Sequence, residues 1–112
     1  MSFKAFIDNH VKLLAEFDAV KLVENDYHDD AVMVLMLSPE GQVASGKQAL
    51  TAQFDYYLKN IYRGFVSIEK LGITEDSICL EATINTVNGE QKVWDALYMK
   101  DGKILRHYSG LK

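Results

Sequence analysis

Cysteine is nearly absent from this chain of 112 residues: Cys79 stands alone, so no internal disulfide can form, and a reducing cytoplasm is the expected location. Clustered positive charge is missing as well. The twelve Lys and Arg are scattered through a chain of formal net charge -4, which leaves no basic face for a phosphate backbone and argues against nucleic acid as a partner. The longest apolar run, Ala31 to Leu37, falls far short of the roughly 20 residues of a spanning helix, so no membrane partner is expected. The first residues enter a polar and apolar periodicity directly, without the charged start, apolar block and cleavage site of an export signal. There is one proline, in the turn signal Ser38-Pro39-Glu40-Gly41, and no glycine-rich phosphate loop, since Gly41 and Gly46 are too far apart. Ser109 lacks the Gly-x-Ser-x-Gly setting of a hydrolase nucleophile. Repeats, low-complexity stretches and linkers are absent too, and a hydrophobic fraction of 48% suits a single domain, residues 1–112, with one core.

What is present begins with helical periodicity. Phe3, Phe6, Ile7, His10, Leu13, Leu14 and Phe17 recur at three- and four-residue spacing with Ser2 as a plausible N-cap, which predicts an amphipathic helix. Asp18 can cap a second helix carrying Val20, Leu22 and Val23 and ending near Tyr27-His28-Asp29-Asp30. Ala31 to Leu37 reads as a buried strand, and a third helix is expected from about Lys47 to Lys59. Beyond Arg63 the pattern becomes that of strands: Phe65 to Ile73, Ile78 to Val87, Lys92 to Lys100 and Lys103 to Ser109. Asn88-Gly89 and Asp101-Gly102 are strong hairpin turns. Helices followed by a meander make an α+β fold. Cys79, inside a strand pattern, is expected to be a buried, inert thiol.

The final hairpin carries the chemistry. Asp95 interrupts one apolar strand and His107 the other, and an unpaired buried charge costs several kcal/mol in practice, so the two either satisfy each other or face a cavity. A carboxylate beside an imidazole can move a proton near neutral pH; the same pair can also be a plain hydrogen bond between strands. His10, on the apolar stripe of the first helix, is a third candidate, with a core histidine as the alternative. His28, Asp29 and Asp30 suggest an exposed turn rather than a metal site, and no metal or other cofactor is expected.

The order helix, helix, strand, helix, meander, with Tyr27-His28-Asp29-Asp30-Ala31-Val32, Gly46-Lys47-Gln48-Ala49-Leu50 and the closing Asp95-Ala-Leu-Tyr-Met-Lys-Asp-Gly-Lys-Ile-Leu-Arg-His-Tyr, resembles SnoaL-like proteins. These are part of the nuclear-transport-factor-2-like superfamily with its ketosteroid isomerases and polyketide cyclases. The resemblance implies a cone: a curved antiparallel sheet wrapped around the three N-terminal helices, with an apolar pocket at its open end and commonly a homodimer through the outer sheet face. It places Phe6, Leu14 and Phe17 of the first helix around that pocket. Tyr27, Met33 and Leu35 would follow, then Phe54 and Tyr57 of the third helix, and Leu97, Met99 and Ser109 of the hairpin. Tyr27, Tyr56 and Tyr57 could bring hydroxyls to its mouth, with ordinary core packing as the commoner role of aromatics at helical spacing. His10 lies roughly where isomerase-like members carry a tyrosine that donates to a substrate oxygen. The chain departs from the pattern twice: Met33 to Leu37 hold no steroid-isomerase aspartate, and Ser109 stands where many members have an acid.

The register of the hairpin decides whether Asp95 and His107 meet. A plain two-residue turn pairs Lys100 with Lys103 and puts them on opposite faces; a left-handed bulge at Gly102 pairs Met99 with Lys103 and brings Asp95, Leu97, Met99, Leu105, His107 and Ser109 onto one face. The bulged register is preferred because it leaves Tyr98, Lys100 and Arg106 outside. Three roles remain open: a proton-transfer enzyme of isomerase, cyclase or dehydratase type on an apolar carbonyl compound, with Asp95 as base, His107 as its partner and His10 as donor; a dimeric binding or accessory domain without chemistry; and an interaction domain using Trp94, Tyr98 and Tyr108 on the outer face.

Overall fold

A computed structural model describes residues 2–112, and Met1 lies outside the described residues. The Ser2 hydroxyl accepts the Ala5 N–H at 3.1 Å and opens α1 (Phe3–Leu14), which buries Phe6, Ile7, His10 and Leu13. The stripe stops there. Phe17 has a left-handed φ of 55°, beyond the end of the helix, and the residue is 48% exposed. Asp18 accepts the Lys21 N–H and caps α2 (Ala19–Asp26). This helix turns Ala19, Leu22, Val23 and Asp26 inward, while Val20, expected on the apolar side, is exposed. Tyr27 is already extended, so the chain passes from helix to strand without a loop and Tyr27-His28-Asp29-Asp30 opens β1 (Tyr27–Met36) rather than ending a helix.

After the Pro39 turn comes β2 (Gln42–Ser45), four residues too short and exposed to show an alternating pattern. Helix α3 (Gly46–Asn60) buries Leu50, Phe54 and Leu58. The meander follows as β3 (Tyr62–Ile73), β4 (Ser77–Thr86), β5 (Gly89–Lys100) and β6 (Lys103–Leu111). The six strands form one sheet in the order β2-β1-β6-β5-β4-β3. It is antiparallel except at one seam, where β6 returns beside β1 and runs parallel to it, the crossover being made by α3 and the meander. Register shifts at three points of β3 and one of β1 bend the strands and curl the sheet around the helices. The core lies between, with Ile7, Leu22, Tyr27, Leu50, Ile78 and Ile104 closed off from solvent; fully burying an aliphatic or aromatic side chain of this size is worth about 1.5–3 kcal/mol. Among the described residues no helix is long and apolar enough to cross a membrane.

The last hairpin combines both readings of its turn. Asp101 and Gly102 both have left-handed φ, 55° and 76°, and Lys100 faces Lys103, which is a plain two-residue turn. The expected bulge at Gly102 is therefore absent. The offset comes three residues later instead: Met99 faces Ile104 but Tyr98 faces Arg106, so Leu105 is the extra residue in β6. From there on His107 lies opposite Leu97, Ser109 lies opposite Asp95, and all four side chains share the inner face. Leu105, expected to belong to that face, is absorbed by the bulge. Cys79 faces Ala96 on the outer side of β4 and is exposed, which corrects the expectation of a buried thiol.

Candidate functional site

Between the helices and the inner face of the sheet lies a cavity of about 430 Å³, within the range of small-molecule sites. The apolar wall comes from Leu14, Met33, Leu35, Phe54, Ile84 and Val93, while His10, Asp95, His107 and Ser109 bring polar atoms to it. It reaches the surface where Leu37, Ser38, Asn88 and Leu111 meet, at the end of the sheet away from the β5–β6 turn. That direction explains five misplaced residues. Leu97 and Met99 lie at the closed end of the cone, where Met99 packs opposite the fully buried Ile104; Phe6 and Tyr27 are likewise sealed in the core, and Phe17 points outside after its left-handed turn. Tyr57 does line the cavity with the exposed Tyr56, whereas Tyr27 is fully buried and reaches the cavity only through its hydrogen bond to His107.

At the floor runs a chain of hydrogen bonds. Tyr27 Oη lies 2.7 Å from His107 Nδ1, and His107 Nε2 lies 2.7 Å from Asp95 Oδ1. Burial, with the nearby charges of Asp95 and Asp26, pushes the Tyr27 hydroxyl well above its ordinary value, so it keeps its proton. Burial also pushes the Asp95 carboxyl up, but the hydrogen bonds it accepts from His107 and Ser109 act against this and hold the carboxyl below its usual range. One arrangement of a neutral imidazole satisfies both neighbours: Tyr27 donates to Nδ1, and Nε2–H donates to the Asp95 carboxylate. Ring stacking between Tyr27 and His107, with 14° between planes and centroids 6.0 Å apart, fixes the imidazole's orientation. The Asp95 side chain keeps 21% of its surface exposed and lines the cavity.

His10 lines the same cavity from the helical side. Its Nδ1 lies 2.7 Å from a carboxylate oxygen of Asp26, a residue that reads in sequence as one more polar position at a helix end. Two imidazole–carboxylate pairs, from α1 and α2 on one side and from β5 and β6 on the other, thus border one cavity. Four side-chain amides, those of Gln42, Gln53, Asn88 and Gln91, add unspent hydrogen-bonding groups toward the rim. Among the described residues no lysine or arginine lines the cavity, and no group of three His, Cys, Asp or Glu is placed to hold a metal ion. His28 lies in β1, where its Nδ1 accepts the Asp30 N–H, and Asp29 pairs with Lys47 at 3.1 Å on the surface.

Solved structures with the same architecture are proteins of the nuclear-transport-factor-2-like fold, and this chain has that fold. A protein of that fold and unknown function from Mesorhizobium loti matches with a TM-score of 0.80 at 14% identity, over 97% of this chain and 89% of the other. A candidate SnoaL-like polyketide cyclase from the same organism matches with 0.73 at 20% identity, over 97% and 98%. A candidate isomerase from Bacillus subtilis matches with 0.77 at 19% identity, over 95% and 83%. No protein-family model and no curated protein matches the sequence.

Proposed function

We propose that this protein binds an uncharged, largely apolar small molecule bearing a carbonyl group and moves a proton on it, as an isomerase, cyclase or dehydratase would. The observation that carries the reading is the convergence of the Asp95–His107 and His10–Asp26 pairs on one apolar cavity. Asp95, ionised and anchored by His107, is the base for a C–H proton next to the carbonyl; His10, when protonated, donates to the carbonyl oxygen and stabilises the charge that develops there. A cavity wall without a lysine or arginine, and with the Asp95 carboxylate on it, disfavours anionic ligands such as phosphates and carboxylates. Two copies associate through the outer sheet face, where Met36, Tyr98 and Tyr108 are exposed. The likeness to a candidate cyclase and a candidate isomerase agrees with this reading at the level of fold.

The test needs no knowledge of the natural substrate. Small apolar ketones are incubated with the protein in deuterium oxide, and deuterium entering the carbon next to the carbonyl is followed by NMR. The wild type should accelerate exchange and Asp95→Asn should slow it by about 100-fold or more, the usual scale for losing a general base. A second reading, a binding domain without chemistry, is favoured by one observation: His107 has both ring nitrogens committed to protein partners and ties α2 and β1 to β5 and β6 as a structural bond does. Saturable ketone binding with no exchange above background would establish that reading in place of the enzyme.

A further inference from the structure

Asp26 occupies a position that does not suit an acid. It is the last residue of α2, where the carbonyl end of the helix carries partial negative charge, and it is only 3% exposed. Its side-chain partner is His10, at 2.7 Å through Nδ1, and the His10 ring is held in place by Phe6, stacked on it at 6.2 Å, and by Tyr27 at 6.1 Å. The other nitrogen, Nε2, makes no hydrogen bond within the described residues. Since none of the buried side-chain nitrogens and oxygens described lacks a partner, Nε2 is not sealed off, and the open space beside His10 is the cavity it lines.

We propose that Asp26 is a positioning residue: its carboxylate accepts the Nδ1–H of His10 and so keeps Nε2 free toward the cavity, making the pair a second proton-handling unit facing Asp95. The consequence for turnover rests on the proton-transfer reading above; the geometric claim does not. The proton that Nε2 contributes is taken from solvent. In the forward step the C–H electron pair becomes the C=C bond of an enol as the proton passes to Asp95, and the carbonyl oxygen takes the proton of Nε2. In the return step the enol O–H gives its proton back to Nε2, and Asp95 delivers its proton to carbon. Both groups end as they began, and no oxidant, reductant or co-reactant is consumed.

The tautomer of His10 can be read without any substrate, from long-range nitrogen–proton correlations of the imidazole rings at about pH 9, where ordinary imidazoles are neutral. His10 should carry its proton on Nδ1 in the wild type. Asp26→Asn, whose amide can donate to Nδ1, should move the population toward the Nε2–H form, and Asp26→Glu should restore the Nδ1–H form. The uncharged dye N-phenyl-1-naphthylamine should shift the Nε2 resonance more than the Nδ1 resonance. A wild-type His10 protonated on Nε2, or a tautomer indifferent to Asp26→Asn, overturns the proposal, and the wild-type spectrum decides alone if the variant does not fold. In the deuterium assay Asp26→Asn should lower kcat at least 10-fold while KM changes less than 3-fold; a change in KM alone overturns the positioning role. The expected tautomers in a protein without exchange activity would remove the enzyme reading and leave the geometric claim standing.

Discussion

At His107 both ring nitrogens are spent on protein partners, Tyr27 on one side and Asp95 on the other. His107→Ala would leave a buried hydroxyl and a largely buried carboxylate without their partner, which should lower stability by about 2–3 kcal/mol in urea unfolding, the scale for leaving buried hydrogen-bonding groups unpaired. Asp95 adds a pH dependence of known sign. Its folded-state value lies below the ordinary 3.8, so the stabilisation is complete above that pH and is lost as pH falls through the lower folded value. The urea midpoint of the wild type should therefore fall more steeply below about pH 4 than that of Asp95→Asn, and parallel curves would contradict the assignment. Asp95, His107 and His10 were legible because each interrupts an apolar pattern. Asp26 was not, because Glu24-Asn25-Asp26 looks like any solvated helix end; its burial follows from how α2 docks, which no local pattern encodes.

Among the elements, β6 shows where pattern reading stops. The sequence implies a shared face for Asp95 and His107 through a bulge at Gly102, whereas the turn is plain and Leu105 supplies the offset. Both routes shift the pairing by one residue relative to the plain register, so the apolar pattern cannot separate them. Further along the strand, Gly110 lies under the indole of Trp94: a methyl group there would fall 2.7 Å from Nε1 and 2.9 Å from Cε2. Gly110→Ala should thus displace the ring, cost about 1–3 kcal/mol as overpacking does, and alter the fluorescence of the chain's single tryptophan. An unchanged spectrum and stability would show the contact to be slack. The edge strand β2 leaves no signature in the sequence, because four mostly exposed residues carry no alternation.

For the molecule as a whole, the layered order of helices and meander was visible in the change of periodicity after Arg63, and the curled sheet follows from it. The direction in which the cone opens was not visible, and this is why Phe6, Phe17, Tyr27, Leu97 and Met99 were placed on a wall they do not form. If two copies pair through the outer face, gel filtration should report twice the chain mass of 12.7 kDa, and Tyr108→Glu, an exposed change on that face, should yield the monomer. The central claim concerns what the cavity accepts. N-phenyl-1-naphthylamine and 8-anilinonaphthalene-1-sulfonate share one skeleton and differ by a sulfonate, so fluorescence titration of both isolates the effect of charge. The account predicts that the neutral dye binds at least 10-fold more tightly and loses that binding in Leu35→Trp, which fills the cavity. Equal affinity for the two dyes, or binding of the neutral dye that survives the filled cavity, would contradict it.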